Sequence, residues 1–352
     1  MPKVTLKDVA KIVGLSVSCT ARALKGRPDI PESTCRRVRE VADEIGYRPD
    51  PMLAALAAYR QTQKPLSLQG TLGFLTTFGA EEDYLASRET GDLLRGARTR
   101  AASLGYQVEY FNIGKNKKDH STASRILRAR GIHGLLIRSF PLELEDIHLS
   151  FEQFICINLF SQPHVQNLST VSSYHAQSME MVLQKLLQRG CRHPALVLDK
   201  VISQIIHHGW WMAFNVYSSK FEQTSVYLVE DDPANMGSHK KWSSRKAVKA
   251  LDHWAQMRGV DALIYSGISE DRLPLSHRSR GNKSDAPLIV CMDLLDPDCG
   301  VAGIYQDRFR AGTGAVDWLH SMLISPHTEG ARIPNALMIP GIWTDGSGRK
   351  GK

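Results

Sequence analysis

Val4-Thr5-Leu6-Lys7-Asp8-Val9-Ala10-Lys11, followed closely by Gly14-Leu15-Ser16-Val17-Ser18 and Arg22-Ala23-Leu24, is the stretch on which the reading of this chain turns. Thr5 to Asp8 has the form of a capping box, in which the Thr5 oxygen accepts from the amide of Asp8 while the Asp8 carboxylate reaches back and favours the positive end of the helix dipole. The spacing therefore predicts a helix from Leu6. Leu6, Val9, Ala10 and Val13 fall at i, i+3, i+4 and i+7 and give it one apolar stripe. Gly14 can take the left-handed conformation that ends such a helix, and Ser16 can cap a second helix after only a three-residue turn. Val17, Thr20, Ala21 and Leu24 continue at the helical period, and Val38, Val41, Ala42 and Ile45 mark a third helix. This is helix-turn-helix spacing. It holds Val17 and Ser18 outward near the start of the second helix and Arg22 one turn later. A small three-helix bundle used for protein contacts fits the same pattern.

Charge favours an anionic partner for this end of the chain. Residues 1 to 64 hold twelve Lys/Arg against seven Asp/Glu, a balance of +5, whereas the remaining 288 residues contribute only +3 of the total +8. With 42% hydrophobic and 23% charged residues, the composition excludes wholesale disorder, collagen-like repeats and a coiled-coil rod. No apolar run reaches the ~18 residues of a membrane span, and the first ten residues do not resemble a signal peptide, so a cytoplasmic address is expected, with no membrane partner. The six cysteines (Cys19, Cys35, Cys156, Cys191, Cys291, Cys299) form no CxxC pair and no His/Cys cluster, and read as free thiols; neither a metal nor a cofactor is expected.

Beyond Tyr47, Arg48-Pro49-Asp50-Pro51 cannot continue a helix, because each proline pushes the preceding residue out of the α region. Asp50 is nevertheless a good N-cap and Pro51 a good first helical residue, so Met52 to Tyr59 is written as a short helix. Eight residues are too few to persist alone in water, where about 12 to 15 are needed, so its order depends on something it packs against. From Gly70 onward, short apolar runs alternate with helical periodicity: Leu72 to Leu75, Val108 to Phe111, Leu135 to Ile137, Phe154 to Ile157, Leu196 to Leu198, Val226 to Val229, Ala262 to Tyr265 and Leu288 to Met292. Such alternation predicts parallel sheets covered on both faces, and about 280 residues suit two doubly wound subdomains better than one. Ligands on these sheets bind outside the carboxyl ends of the strands, here in a cleft between subdomains. No internal repeat is evident.

Taken as a string, the opening stretch, together with Arg37-Val38, Ile45-Gly46-Tyr47-Arg48-Pro49 and Pro51, closely resembles the DNA-binding headpiece of the LacI/GalR family of bacterial regulators over about 55 residues. The resemblance implies an all-α helix-turn-helix headpiece (residues 1–47), a linker with a hinge helix (48–69), an α/β core of two doubly wound parallel-sheet subdomains like periplasmic binding proteins (70–345), and a basic tail (346–352). It implies a repressor that binds a pseudo-palindromic operator in double-stranded DNA as a homodimer, modulated by a small sugar-related effector. Val17, Ser18 and Arg22 occupy the family's base-reading positions, and Thr5 and Ser16 would hold phosphates. Leu56 stands where the family's hinge leucine wedges into the minor groove, with Arg48 and Arg60 as its basic neighbours. Two departures stand out. Cys19-Thr20-Ala21 occupies a place where Thr-Val-Ser is common, and Pro31 replaces a common serine cap, with Ser33 and Thr34 near enough to substitute.

The likeness continues more weakly through Leu104-Gly105-Tyr106-Gln107-Val108, Arg130 to Ile137, Ile333-Pro334 and Gly341-Ile342-Trp343. On it, Asn158, His208, Ser266 and Asp293 are the candidate effector-binding residues, with helix capping the competing role for Asn158 and Asp293. Ser266 stands where an asparagine is common, and the region from His208 to Phe214 has no arginine at the family's ligand-clamping position. Trp210 and Trp211 fit either a sugar platform or the core. Two other functions stay open at this level: a sugar-binding or transport-associated protein with a vestigial headpiece, and a regulator whose core has lost its effector. An enzyme is not expected. Gly91 to Gly96 lacks the Lys-Ser/Thr of a P-loop, and neither a GxGxxG after a strand nor a G-x-S-x-G elbow occurs.

Overall fold

The computed structural model describes residues 4–24, 30–47, 70–77, 79–114, 117–138, 149–160, 168–229, 245–266, 287–324 and 334–347. It opens with three helices, α1 (Leu6–Val13), α2 (Val17–Leu24) and α3 (Glu32–Glu44). The Asp8 carboxylate accepts from both the amide and the hydroxyl of Thr5, at 2.8 and 2.7 Å. Gly14 closes α1 at φ 70°, its amide donating to the carbonyl of Ala10, and Ser16 Oγ caps α2 by accepting from the Cys19 amide at 3.1 Å. No side chain caps α3; the Pro31 carbonyl accepts from the amides of Thr34 and Cys35, so Ser33 and Thr34 do not take over the missing cap.

Val9, Val13, Ala23, Cys35, Val38 and Ala42 form the headpiece core, and Arg37 donates to the Val13 carbonyl, tying α3 to the end of α1. In α2 the residue expected to face outward does so. Thr20 and Ala23 are fully buried, while Val17 is 41% exposed. Threonine tolerates this burial because its hydroxyl donates to the Ser16 carbonyl at 2.9 Å, leaving no orphaned polar group. The linker, with the expected helix over 52–59 and with Arg48, Leu56 and Arg60, lies outside the described residues.

The rest builds two six-stranded sheets. The first comprises β1 (Gly70–Thr76), β2 (Tyr106–Asn112), β3 (Gly134–Arg138), β4 (Ile155–Leu159) and β5 (Ser169–Ser173), with α4 (Glu81–Ala86), α5 (Arg88–Ser103) and α6 (Lys117–Ala129) between them. The second comprises β6 (Pro194–Asp199), β7 (Ser225–Val229), β8 (Ala262–Tyr265), β9 (Leu288–Leu294) and β10 (Ala302–Tyr305), with α7 (His175–Gln188), α8 (Lys200–Ile205), α9 (Gly209–Tyr217) and α10 (Arg245–Met257). Then α11 (Arg308–Ile324) returns to the first half, β11 (Ala336–Ile339) joins β5 in parallel, and β12 (Ile342–Asp345) lies antiparallel to β10. The orders, β11-β5-β4-β3-β1-β2 and β12-β10-β9-β8-β6-β7, repeat one topology that the sequence gives no sign of repeating.

Each sheet is covered on both faces, as near-continuous apolar parallel strands require. Residues such as Leu93 and Ala97 of α5 and Leu319 of α11 pack on one face of the first sheet, and Leu127 of α6 on the other. Met179 of α7 and Phe214 of α9 cover one face of the second, and Leu251 and Ala255 of α10 the other. Helices α5 and α11 touch backbone to backbone. A Cβ on Gly312 would sit 2.2 Å from the Leu93 oxygen, and one on Gly96 2.1 Å from the Phe309 oxygen, so only glycine permits this approach. The chain passes between the halves three times, at β5 to α7, β10 to α11 and β11 to β12, and the Tyr174 amide donates to the Ile339 carbonyl at 2.9 Å where two of these passages meet.

Candidate nucleic-acid interface and ligand crevice

The headpiece presents one coherent polar surface. Ser16, Val17, Ser18 and Arg22 are all exposed on the first turns of α2, with Ser18 and Arg22 four residues apart on one face. The Ser16 oxygen is engaged as an acceptor by the Cys19 amide, which leaves its hydroxyl proton to donate outward. Thr5 is differently placed: its hydroxyl already donates to Asp8, whose carboxyl is held below the usual range by the hydroxyl and amide of Thr5. A phosphate at Thr5 must therefore compete with a carboxylate. At the substituted Cys19-Thr20-Ala21, Thr20 is core, so the hydroxyl there does not face outward.

In the core, strand order reverses between β1 and β3 and again between β6 and β8, and such switch points open a crevice outside the carboxyl ends of the strands. In the first sheet Arg138 closes β3 and Thr77 follows β1; in the second Asp199 closes β6 and Ser266 follows β8. Asn158, the penultimate residue of β4, is 1% exposed, and half-buried Asp293 near the end of β9 accepts from Cys291 Sγ at 3.4 Å. His208 sits in the left-handed region (φ 56°) as the N-cap of α9, with its Nδ1 2.8 Å from Ser203 Oγ. All four expected ligand residues thus stand at carboxyl edges or at a helix start. Trp210 is buried in the core beneath the second sheet, whereas Trp211 is only partly so.

Sequence reasoning missed the most concentrated group. Phe160, just beyond β4, has φ 59°, and the guanidinium of Arg308 lies 4.1 Å from its ring centroid while that of Arg138 lies 5.8 Å away. Arg308 acts electrostatically on His175, which stacks edge-on to Trp210 at 5.1 Å and touches the start of α9 at Gly209. These residues run from the edge of the first sheet to the helices of the second. Burial, then Arg308 and His207, depress the His175 imidazole from 6.5 to about 4, so it is neutral near pH 7. Burial, then His208, lowers His207 as well. Across the two halves, Arg88 pairs with Asp296 at 2.6 Å. An arginine closing the apolar run Leu135 to Ile137 was the available signal for the cluster. Among the described residues no group of His, Cys, Asp or Glu is placed to hold a metal ion.

The fold and surface define a helix-turn-helix DNA-binding protein joined to a two-subdomain core of the ligand-binding type. Residues 5–50 match the family described as bacterial regulatory proteins, lacI family. Catabolite control protein A of Priestia megaterium is 21% identical over 289 residues, covering 81% of this chain and 80% of that one. The sucrose operon repressor of Streptococcus mutans is 23% identical over 195 residues, 55% of this chain and 56% of its own. The fold is similar to that of the Lac repressor dimer bound to operator and the anti-inducer ONPF, with a TM-score of 0.54 at 18% identity over 97% of this chain and 98% of that one. No helix among the described residues is long and apolar enough to cross a membrane.

Proposed function

We propose that this protein is a sequence-specific transcriptional regulator, a repressor, that binds a pseudo-palindromic operator as a homodimer and answers to a small-molecule effector held in the crevice of its core. The observation that carries this reading is the exposed face of α2, where Ser16, Val17, Ser18 and Arg22 project beyond a turn fixed by Gly14 and the Ser16 cap. In this reading Arg22 bonds a guanine edge, Val17 and Ser18 contact neighbouring base edges, and Ser16, Thr5 and the helix amides hold phosphates. Two copies would set two recognition helices on half-sites related by the dimer axis. Leu56, flanked by Arg48 and Arg60, would wedge into the central step once the hinge helix forms on DNA.

Asn158, His208, Ser266 and Asp293, at the carboxyl edges, are the effector contacts in this scheme. A ligand that prefers one angle between the halves shifts the population of that angle and so the spacing of the two hinges. Selection of bound duplexes from random oligonucleotides, followed by gel shifts at several salt concentrations, tests the proposal. A recurrent half-site with affinity falling steeply as salt rises supports it. No preference over scrambled competitor refutes it.

A further inference from the structure

The geometry points to an effector that carries a negative charge, a phosphate or carboxylate on a small polyhydroxyl body, whose anionic end is gripped between Arg138 and Arg308 around Phe160. This rests on reading the crevice as the effector site and specifies the chemistry of its occupant. Arg138 closes β3 at the reversal of strand order in the first sheet and is buried, while Arg308 opens α11 immediately after the chain crosses from the second half. Two guanidiniums within 4.1 and 5.8 Å of one ring centroid gather positive charge where a neutral sugar would need none. The ring braces both against each other's repulsion. Each guanidinium has five N–H donors in a fixed fork that matches carboxylate and phosphate.

Two independent features favour the same chemistry. The helices α7 and α9 begin next to this cluster, at His175 and Gly209, and neither has an acidic residue in its first turn, whereas the start of α11 is already capped by the Asp307 carboxylate, which accepts from the Arg310 amide at 2.8 Å. Buried polar atoms around the crevice also lack hydrogen-bond partners among the described residues: His175 Nδ1, Thr77 Oγ1 and Ser266 Oγ. Such groups are costly unless something completes them. The φ of 59° at Phe160, a conformation disfavoured for an aromatic residue, holds the ring between the arginines and is the kind of strain that accumulates at ligand clamps. On the opposite wall Asp293 and Ser266 supply the acceptor and hydroxyl suited to sugar hydroxyls.

Calorimetry on the full-length protein with glucose, glucose 6-phosphate, gluconate and inorganic phosphate tests this, with operator binding measured on the same preparation. The expected result is binding of glucose 6-phosphate or gluconate with glucose silent, and which of the two binds distinguishes a phosphate from a carboxylate. Arg308→Met should weaken that binding by about 10- to 100-fold, the loss of one charge-assisted contact, while operator affinity without ligand is retained. Arg308→Lys, which keeps the charge without the fork, should fall between. If Arg308→Met does not fold, the contrast between charged and neutral sugars still decides. Glucose binding as well as its charged derivatives, or an unchanged affinity in folded Arg308→Met, overturns the anionic assignment and leaves the crevice as an effector site. Silence from every probe while the operator is bound overturns the inference and leaves the DNA-binding reading standing.

Discussion

Gly312 and Gly314 lie two residues apart on α11, and alanine should move stability in opposite directions at the two sites. At Gly312 the new methyl would sit 2.2 Å from the Leu93 carbonyl oxygen and 2.8 Å from the Ala97 amide nitrogen, both backbone atoms of α5. Neither can swing aside, so α11 must retreat by about 1 Å to reach an ordinary contact distance. Overpacking of this kind costs about 1 to 3 kcal/mol, against which the better helix propensity of alanine returns about 1 kcal/mol. The net is a loss of up to about 2 kcal/mol, or up to about 6 °C in Tm for a core of this size. At Gly314 the methyl would meet only Leu337 Cδ2 at 3.4 Å and Ile339 Cδ1 at 3.8 Å, and the helix-propensity gain of about 1 kcal/mol should remain. Thermal melts followed by circular dichroism on the two variants and the parent measure both signs. The retreat also carries Arg308, at the head of the helix, away from Phe160. Equal shifts of the same sign would refute the claim that a backbone contact sets the α5–α11 spacing.

Arg22→Ala should cost about 1 to 3 kcal/mol at one base position and relax specificity there, measured by competition gel shifts; equal losses on specific and random DNA would remove Arg22 from base reading. Leu56→Ala should reduce operator bending and specific affinity without changing the affinity of the core for its ligand, and bending that survives the change would end the wedge assignment. Lowering the pH should destabilise the core through His175, whose folded value of about 4 lies below its ordinary 6.5. The unfolded chain then binds the proton first, so stability is full above about 6.5 and falls toward 4 by up to about 3 kcal/mol. His207 and His320 are depressed in the same direction. Melting temperature against pH checks this, and His175→Gln should flatten the slope.

Eight of the twelve strands among the described residues were legible as apolar runs, most of them buried on both faces, although the edge strands β2 and β7 are only half-buried. The other four carry weaker local signals, and of these only the region of β12 was marked, through the resemblance at Gly341-Ile342-Trp343. Strand β5 reads Ser-Thr-Val-Ser-Ser and alternates between buried and half-buried positions, while β10, β11 and β12 have four residues apiece, and β11 and β12 are edge strands with exposed apolar residues such as Met338 and Ile342. In the headpiece the caps were written in residue type, so Thr5-Asp8, Gly14 and Ser16 stand as read, and Val17 faces outward as read, whereas periodicity alone could not tell that Thr20 buries completely, because the deciding hydrogen bond is to a backbone carbonyl. The crevice was the least legible part. Arg138, Phe160, His175 and Arg308 are separated by long stretches of chain and meet only because the strands end together and the chain crosses between the halves. No local pattern records that.

The three passages between the halves also fix an order of assembly. Leu93 and Ala97 on α5 emerge early from the ribosome, yet the helix that covers them begins at Arg308, and the strand that flanks β5 begins at Ala336. The first half therefore waits with an apolar helix face uncovered until nearly all of the second half has been made, and its native core closes only when that late segment arrives. A nascent chain stalled between β10 and α11 would display that face to chaperones, so neither half is a module that can be cut away and expected to stand alone.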